Sequence, residues 1–190
     1  MINNASDLPA ELILFVTSQC NLRCAHCFNW RNLGRGDDLA VCDFERLAQS
    51  LSTLRVLSLS GGEPFLRKDL VRICQLFLEH GDLRHLDIPT NGLQPEVVVR
   101  EIEQLMETLH HCRLSVSVSL DGREALHDAT RGMRGAFARA VESVLALLDL
   151  KRRSARLQVN VLTTVTRENA DGIAGLSDFV GCKLAGVDNL

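Results

Sequence analysis

Nowhere in the 190 residues does an apolar run approach the roughly 20 positions that a membrane-spanning helix needs. The opening stretch, Met1 to Leu8, has neither the basic start nor the apolar segment of a secretory signal. A strong excess of one charge is missing as well. The 21 Lys and Arg stand against 24 Asp and Glu, a formal net charge of -3, and both signs are dispersed along the chain. No basic stripe is therefore available to grip a phosphate backbone. Low-complexity tracts and sequence repeats are absent. Together these absences predict a soluble, cytoplasmic protein that takes neither nucleic acid nor membrane as a partner. The one basic cluster, Lys151, Arg152, Arg153 and Arg156, falls where a helix is expected to end, and cations there complement the carbonyl end of its dipole.

What the chain does have is apolar content, 46%, enough for one sizeable core at this length. It also has seven cysteines, an odd number, and Cys20, Cys24 and Cys27 fall within eight residues. That crowding suits metal binding in a reducing compartment better than a disulfide framework. The scattered Cys42, Cys74, Cys112 and Cys182 are expected to be small buried apolar residues.

Runs rich in Val, Ile, Leu and Thr predict strands over 11–18, 56–60, 85–90, 113–120 and 156–166, with helices over 43–53, 69–80, 95–110, 135–151 and 169–182 between and after them. Five βα units in succession imply a parallel sheet, doubly wound or curling into a barrel. Strand parity favours the barrel. Leu114, Val116, Val118 and Leu120 share one face of the fourth strand while Ser115, Ser117 and Ser119 share the other, and Gln158 and Asn160 repeat the pattern on the fifth. A sheet covered by helices on both faces would read as continuous apolar strands instead. The expected fold is α/β, a partial TIM-type barrel of parallel strands with about five βα units, preceded by a leader over 1–10. Residues 185–190 read as the entry to a sixth strand, so the chain looks truncated at its C-terminus.

Directly after the first strand comes Cys20-Asn-Leu-Arg-Cys24-Ala-His-Cys27, at the strand end where a β/α barrel keeps its active site. Three thiolates in one loop can ligate three irons of a [4Fe-4S] cluster and leave the fourth iron open to a ligand. The competing reading is a zinc site with His26 as fourth ligand, but His26 abuts Cys27 and leaves little room for a tetrahedron.

The surrounding FVTSQCNLRCAHCFNW resembles the CxxxCxΦC signature of the radical S-adenosylmethionine (SAM) superfamily, with His26 in place of the usual aromatic at Φ. Gly61-Gly62-Glu63-Pro64, at the end of the second strand, is similar to that family's GGEP motif. Ser119-Leu-Asp121-Gly122, followed by His127-Asp128 and Arg131-Gly132, resembles the SxDG…HD…RG stretch of the branch with anaerobic sulfatase-maturating and peptide-modifying enzymes.

The resemblance, covering about 12–169, implies a (β/α)6 partial barrel and a division of labour among these residues. Cys20, Cys24 and Cys27 would hold the cluster, and His26 would pack beside the adenine of SAM. Gly61 and Gly62 would let backbone approach its methionine end, and Glu63 would accept from its ammonium. Ser119 would bind the ribose and Arg131 the methionine carboxylate, which a guanidinium fork fits. Thr90-Asn91-Gly92 is read as an ordinary turn and left outside the site. Asp121 and Asn160 face either the site or the structure.

The implied activity is reductive cleavage of SAM to a 5′-deoxyadenosyl radical that abstracts hydrogen from an unspecified substrate, with electrons from a donor such as flavodoxin or ferredoxin. The substrate itself is unknown, and the third resemblance points towards a peptide or protein. A small-molecule biosynthetic enzyme and a non-enzymatic metal-binding module are the alternatives.

Overall fold

The computed structural model describes residues 8–36, 38–108 and 110–190, so most of the expected leader lies outside the described residues. Five strands, β1 (Glu11–Thr17), β2 (Val56–Gly61), β3 (His85–Thr90), β4 (Arg113–Ser119) and β5 (Leu157–Leu162), form one sheet in the order β1-β2-β3-β4-β5. Every neighbouring pair is parallel. A doubly wound sheet would reverse direction at a switch point. Strictly sequential order is that of a curling barrel wall, as strand parity predicts.

The connections are helical: α1 (Val41–Ser50), α2 (Leu70–His80), α3 (Pro95–Thr108), α4 (Glu124–Arg131), α5 (Ala136–Lys151) and α6 (Ile173–Lys183). Leu57, Leu59, Leu86, Ile88, Leu114, Val116, Val118, Leu157, Val159 and Val161 turn to the helices and are buried in one continuous core with Phe44, Ile73, Phe77, Ile102 and Leu147. Each such side chain contributes about 1.5–3 kcal/mol by leaving water. The opposite parity carries the polar set. On it, Ser117 Oγ donates to Asp87 Oδ1 at 2.9 Å, and Ser115 Oγ donates to Gln158 Oε1 at 3.1 Å. Burial raises the Asp87 carboxyl above the ordinary carboxylate range, and the Ser117 hydrogen bond opposes that shift.

Several expectations need correction. The fifth strand stops at Leu162 rather than continuing to residue 166, because Thr163 and Thr164 turn back to bond Leu120 and Asp121. Helix α4 was not foreseen. Its eight residues lie between Gly122 and Gly132, and an αL cap at Gly132 separates it from α5. Cys74 and Cys112 are buried as expected, but Cys42 and Cys182 are exposed. Asp188 and Asn189 do begin to pair with β5 in parallel, Val161 N–H donating to Asn189 O at 2.9 Å. The basic cluster at the end of α5 is largely engaged with acids, through Lys151 with Asp188, Arg152 with Asp149 and Arg153 with Glu103.

Helix α6 carries two glycines, Gly175 and Gly181, where an added Cβ would meet open space. Alanine at either position is expected to stabilise the protein by about 0.5–1 kcal/mol, because glycine loses the most backbone freedom in a helix. A rise in melting temperature of about 2–4 °C per kcal/mol in a chain of this size is the check.

Candidate active site

The loop carrying the three cysteines is stitched to the sheet before any ligand is considered. β1 and β2 slip register between Phe15 and Thr17, and Gly62 N–H then donates to Thr17 O while Glu63 N–H donates to Gln19 O, both at 2.8 Å. The paired glycines make this approach possible. Gly61 sits at φ +117°, and a Cβ on Gly61 or Gly62 would lie 2.3 Å from Thr17 O or 1.9 Å from Gln19 O. The glycines thus serve the chain's own backbone, a need that the motif alone did not reveal. On the far side of the loop, Ser18 N–H and Thr17 Oγ1 donate to Asp38.

Glu63 caps the short 3₁₀ turn Pro64–Leu66 through Phe65 N–H, so Pro64 starts a turn, β2 having already ended at Gly61. Its carboxylate also accepts Thr90 Oγ1 at 2.9 Å and Asn91 N–H at 2.7 Å. Burial pushes this carboxyl up to about 7, while the three donors and the Arg131 charge pull it down. Asn91 in turn donates to Asn21 Oδ1 at 2.7 Å inside the cysteine loop. Thr90 and Asn91, left outside the site above, therefore belong to it. The usable signal was their place at the C-terminal end of a barrel strand.

The third tether is α4. Ala25 N–H donates to Thr130 O at 2.8 Å, and Arg131 Nη1 lies 3.6 Å from Cys24 Sγ. Arg131 Nε sits 2.7 Å from Asp121 Oδ2, a close ion pair between groups almost sealed from solvent. The HD…RG residues each have a structural task. His127 Nδ1 accepts Asp121 N–H at 3.1 Å, Asp128 accepts Gly135 and Phe137 N–H, and Gly132 closes the helix. Asn169, buried, donates from Nδ2 to Asp121 O and Thr164 O.

All nine nominated residues, Cys20, Cys24, His26, Cys27, Gly61, Gly62, Glu63, Ser119 and Arg131, line one cavity of about 270 Å³ at the C-terminal ends of the strands. Ser60, Pro89, Thr90, Asn91, Leu162 and Thr164 complete the wall with apolar Leu22, Phe28 and Leu33. Asn160 lies outside it and instead accepts from Asn189 Nδ2. Burial raises the Cys20 and Cys24 thiols above their ordinary value, and the Arg131 cation opposes this at Cys24.

A profile of the radical SAM superfamily matches residues 14–180. The chain belongs to this superfamily. Its similar proteins include an Fe-coproporphyrin III synthase of Methanosarcina barkeri, 29% identical over 93% of this chain and 45% of that protein. A mycofactocin maturase, MftC, of Mycobacterium ulcerans is 30% identical over 94% of this chain and 47% of its own length. Among solved structures, Streptococcus suis SuiB bound to its precursor peptide SuiA superposes with a TM-score of 0.71 at 21% identity, over 91% of this chain and 37% of SuiB. The radical SAM chain described here spans less than half the length of each of these proteins.

The donor set fits the family's cluster. The three thiols are free and border the same cavity. Among the described residues no three His, Cys, Asp or Glu side chains converge as a single metal ion would require. A cubane asks for something else, one thiolate on each of three irons, and so suits thiols spread around a cavity wall. His26 Nδ1 is buried without a hydrogen-bond partner among the described residues, and its Nε2 lies 3.9 Å from Asp121 Oδ2.

His127 supplies a pH test of this scaffold. Burial, with the Arg131 charge beside it, lowers its imidazole from 6.5 to about 4. Between those values the unfolded chain binds a proton that the native state refuses, so this contribution is whole above pH 6.5 and is lost as pH falls towards 4. His127→Asn keeps an acceptor near Nδ1 but cannot titrate. The wild-type advantage over this variant is expected to shrink by on the order of 2–3 kcal/mol across that window, as read by urea unfolding at each pH.

Proposed function

We propose that this protein is a radical SAM enzyme in which Cys20, Cys24 and Cys27 hold a [4Fe-4S] cluster and the adjoining cavity holds SAM. The observation that carries this reading is the convergence of three separate motifs on one cavity at the C-terminal edge of a sequentially ordered parallel sheet. When bound, the cluster and SAM supply reductive cleavage to a 5′-deoxyadenosyl radical, which takes hydrogen from the substrate.

The chain's own residues do the rest. Glu63, buried at the β2–β3 edge, presents an acceptor towards the amino group of the ligand. Ser119 at the end of β4 serves the ribose, and Arg131 adds a fixed cation for the methionine carboxylate. His26 would pack beside the adenine, and the buried apolar side chains of Leu22 and Leu33 would exclude water from the reacting centre.

The substrate proposed is a peptide or protein. Support comes from the SxDG…HD…RG stretch, from the name of the mycofactocin maturase and from the peptide-bound state of SuiB. A small-molecule substrate is the second reading, favoured by the similarity to the Fe-coproporphyrin III synthase. A flavodoxin or ferredoxin would deliver the electron in a reducing cytoplasm. No helix among the described residues is long and apolar enough to cross a membrane.

The full-length protein, reconstituted anaerobically with iron and sulfide and given dithionite and SAM, is expected to release 5′-deoxyadenosine. An intact cluster with no release would overturn the enzymatic reading in favour of a metal-binding module. Deuterium transfer from a labelled peptide or a labelled tetrapyrrole into 5′-deoxyadenosine separates the two substrate classes.

A further inference from the structure

The Arg131 guanidinium has two protein partners that its expected duty towards the methionine carboxylate leaves unexplained. Nη1 approaches Cys24 Sγ at 3.6 Å, and Nε approaches Asp121 Oδ2 at 2.7 Å. Arg131 is 8% exposed and Asp121 fully buried. Asp121 is itself fixed from four directions. Its N–H donates to His127 Nδ1, its carbonyl accepts Asn169 Nδ2, its Oδ1 accepts Thr164 N–H at 3.1 Å, and its Oδ2 meets Arg131. Nε and Oδ2 are not aligned for a hydrogen bond, so this fixed carboxylate anchors the guanidinium by charge at close range, and from there Nη1 donates to the sulfur.

We infer that Arg131 donates to the Cys24 thiolate and raises the reduction potential of the cluster, with Asp121 as the positioning residue that keeps it there. The inference rests on the cluster assignment proposed above. Reduction adds one negative charge to the cluster, and a hydrogen bond with a positive charge beside a ligating sulfur favours the reduced state. The effect is strongest where water is excluded, as it is around this pair. Placing the donor on a ligand sulfur also makes the contact independent of SAM, unlike a contact to its carboxylate.

The test is an EPR-monitored redox titration of the reconstituted full chain without SAM, so that carboxylate binding contributes nothing. Arg131→Gln is expected to make reduction at least tenfold less favourable, a downward shift of about 59 mV for a one-electron couple. Arg131→Lys, which keeps the charge but loses the fork, is expected to shift the potential down by less. Asp121→Asn is expected to lower it too, with no further drop when combined with Arg131→Gln, because both changes remove the same contact.

A wild-type cluster whose potential neither Arg131 variant moves would overturn the inference while leaving the cluster assignment standing. So would a potential that rises in Asp121→Asn, since Asp121 would then act only as a counter-charge. Loss of cluster uptake in both Arg131 variants would overturn it as well, by making Arg131 a structural requirement of the loop. Iron and sulfide analysis of the wild type reports separately on the assignment itself, which fails if no cluster is taken up.

Discussion

Replacing Cys24 by alanine is expected to abolish the [4Fe-4S] cluster and, with it, all release of 5′-deoxyadenosine. Cys24 is the central of the three thiols and the one beside Arg131, so the change removes an iron ligand and leaves a buried guanidinium facing a methyl group. The two remaining thiols, Cys20 and Cys27, cannot satisfy three irons. No other cysteine can substitute, since none of the remaining four borders the cavity. The expected loss exceeds the roughly 10- to 100-fold that altering an outer partner of a metal site costs. The checks are iron and sulfide content, visible absorption and 5′-deoxyadenosine release after anaerobic reconstitution. Folding should survive in the apoprotein, because the loop keeps its backbone hydrogen bonds to β2 and α4.

Gly62→Ala is expected to fail for the opposite reason, with every cysteine present but the loop displaced. The new Cβ would lie 1.9 Å from Gln19 O and 2.5 Å from Gln19 C. Both are backbone atoms, so no side-chain rotation relieves the clash. The two hydrogen bonds that lock the loop to β2, from Gly62 and Glu63 N–H, must break or shift together. Overpacking costs about 1–3 kcal/mol even where side chains can yield, and a backbone clash belongs at or above the top of that range. A loss of about 3 kcal/mol in urea unfolding, with poor cluster retention, is the expected result. Gly175→Ala, set in open space, is the matched control.

Much of this was legible in the sequence because two regularities coincided. Period-two alternation separated the helix-facing Leu114, Val116 and Val118 from Ser115, Ser117 and Ser119, and so favoured a barrel wall over a doubly wound sheet. Motif position then placed the cysteines and Gly61-Gly62-Glu63 at strand ends, where an α/β barrel gathers its chemistry. What escaped notice was interaction between distant segments. Helix α4 is short and bounded by glycines, so its periodicity was too brief to stand out, and its residues were read as a motif without an element beneath them. Thr90 and Asn91 looked like a turn because nothing local shows that Glu63, nearly thirty positions earlier, needs them as donors. Asp121 carried no sign that it would be sealed against Arg131. Cys42 and Cys182 have no local mark that distinguishes them from the buried Cys74.

The cysteine loop is anchored to β2 through the Gly62 and Glu63 N–H groups, to β3 through Asn91, and to α4 through Thr130 O. None of these tethers involves a thiol. Iron–sulfur cofactors are vulnerable to oxygen, and a ligand loop that collapsed on losing its inorganic core would have to be rebuilt each time. Here the cradle and the core are separable. Damage that strips the iron is expected to leave a socket with its walls in place, so that recovery would require a fresh supply of iron, sulfide and reductant rather than refolding of the chain.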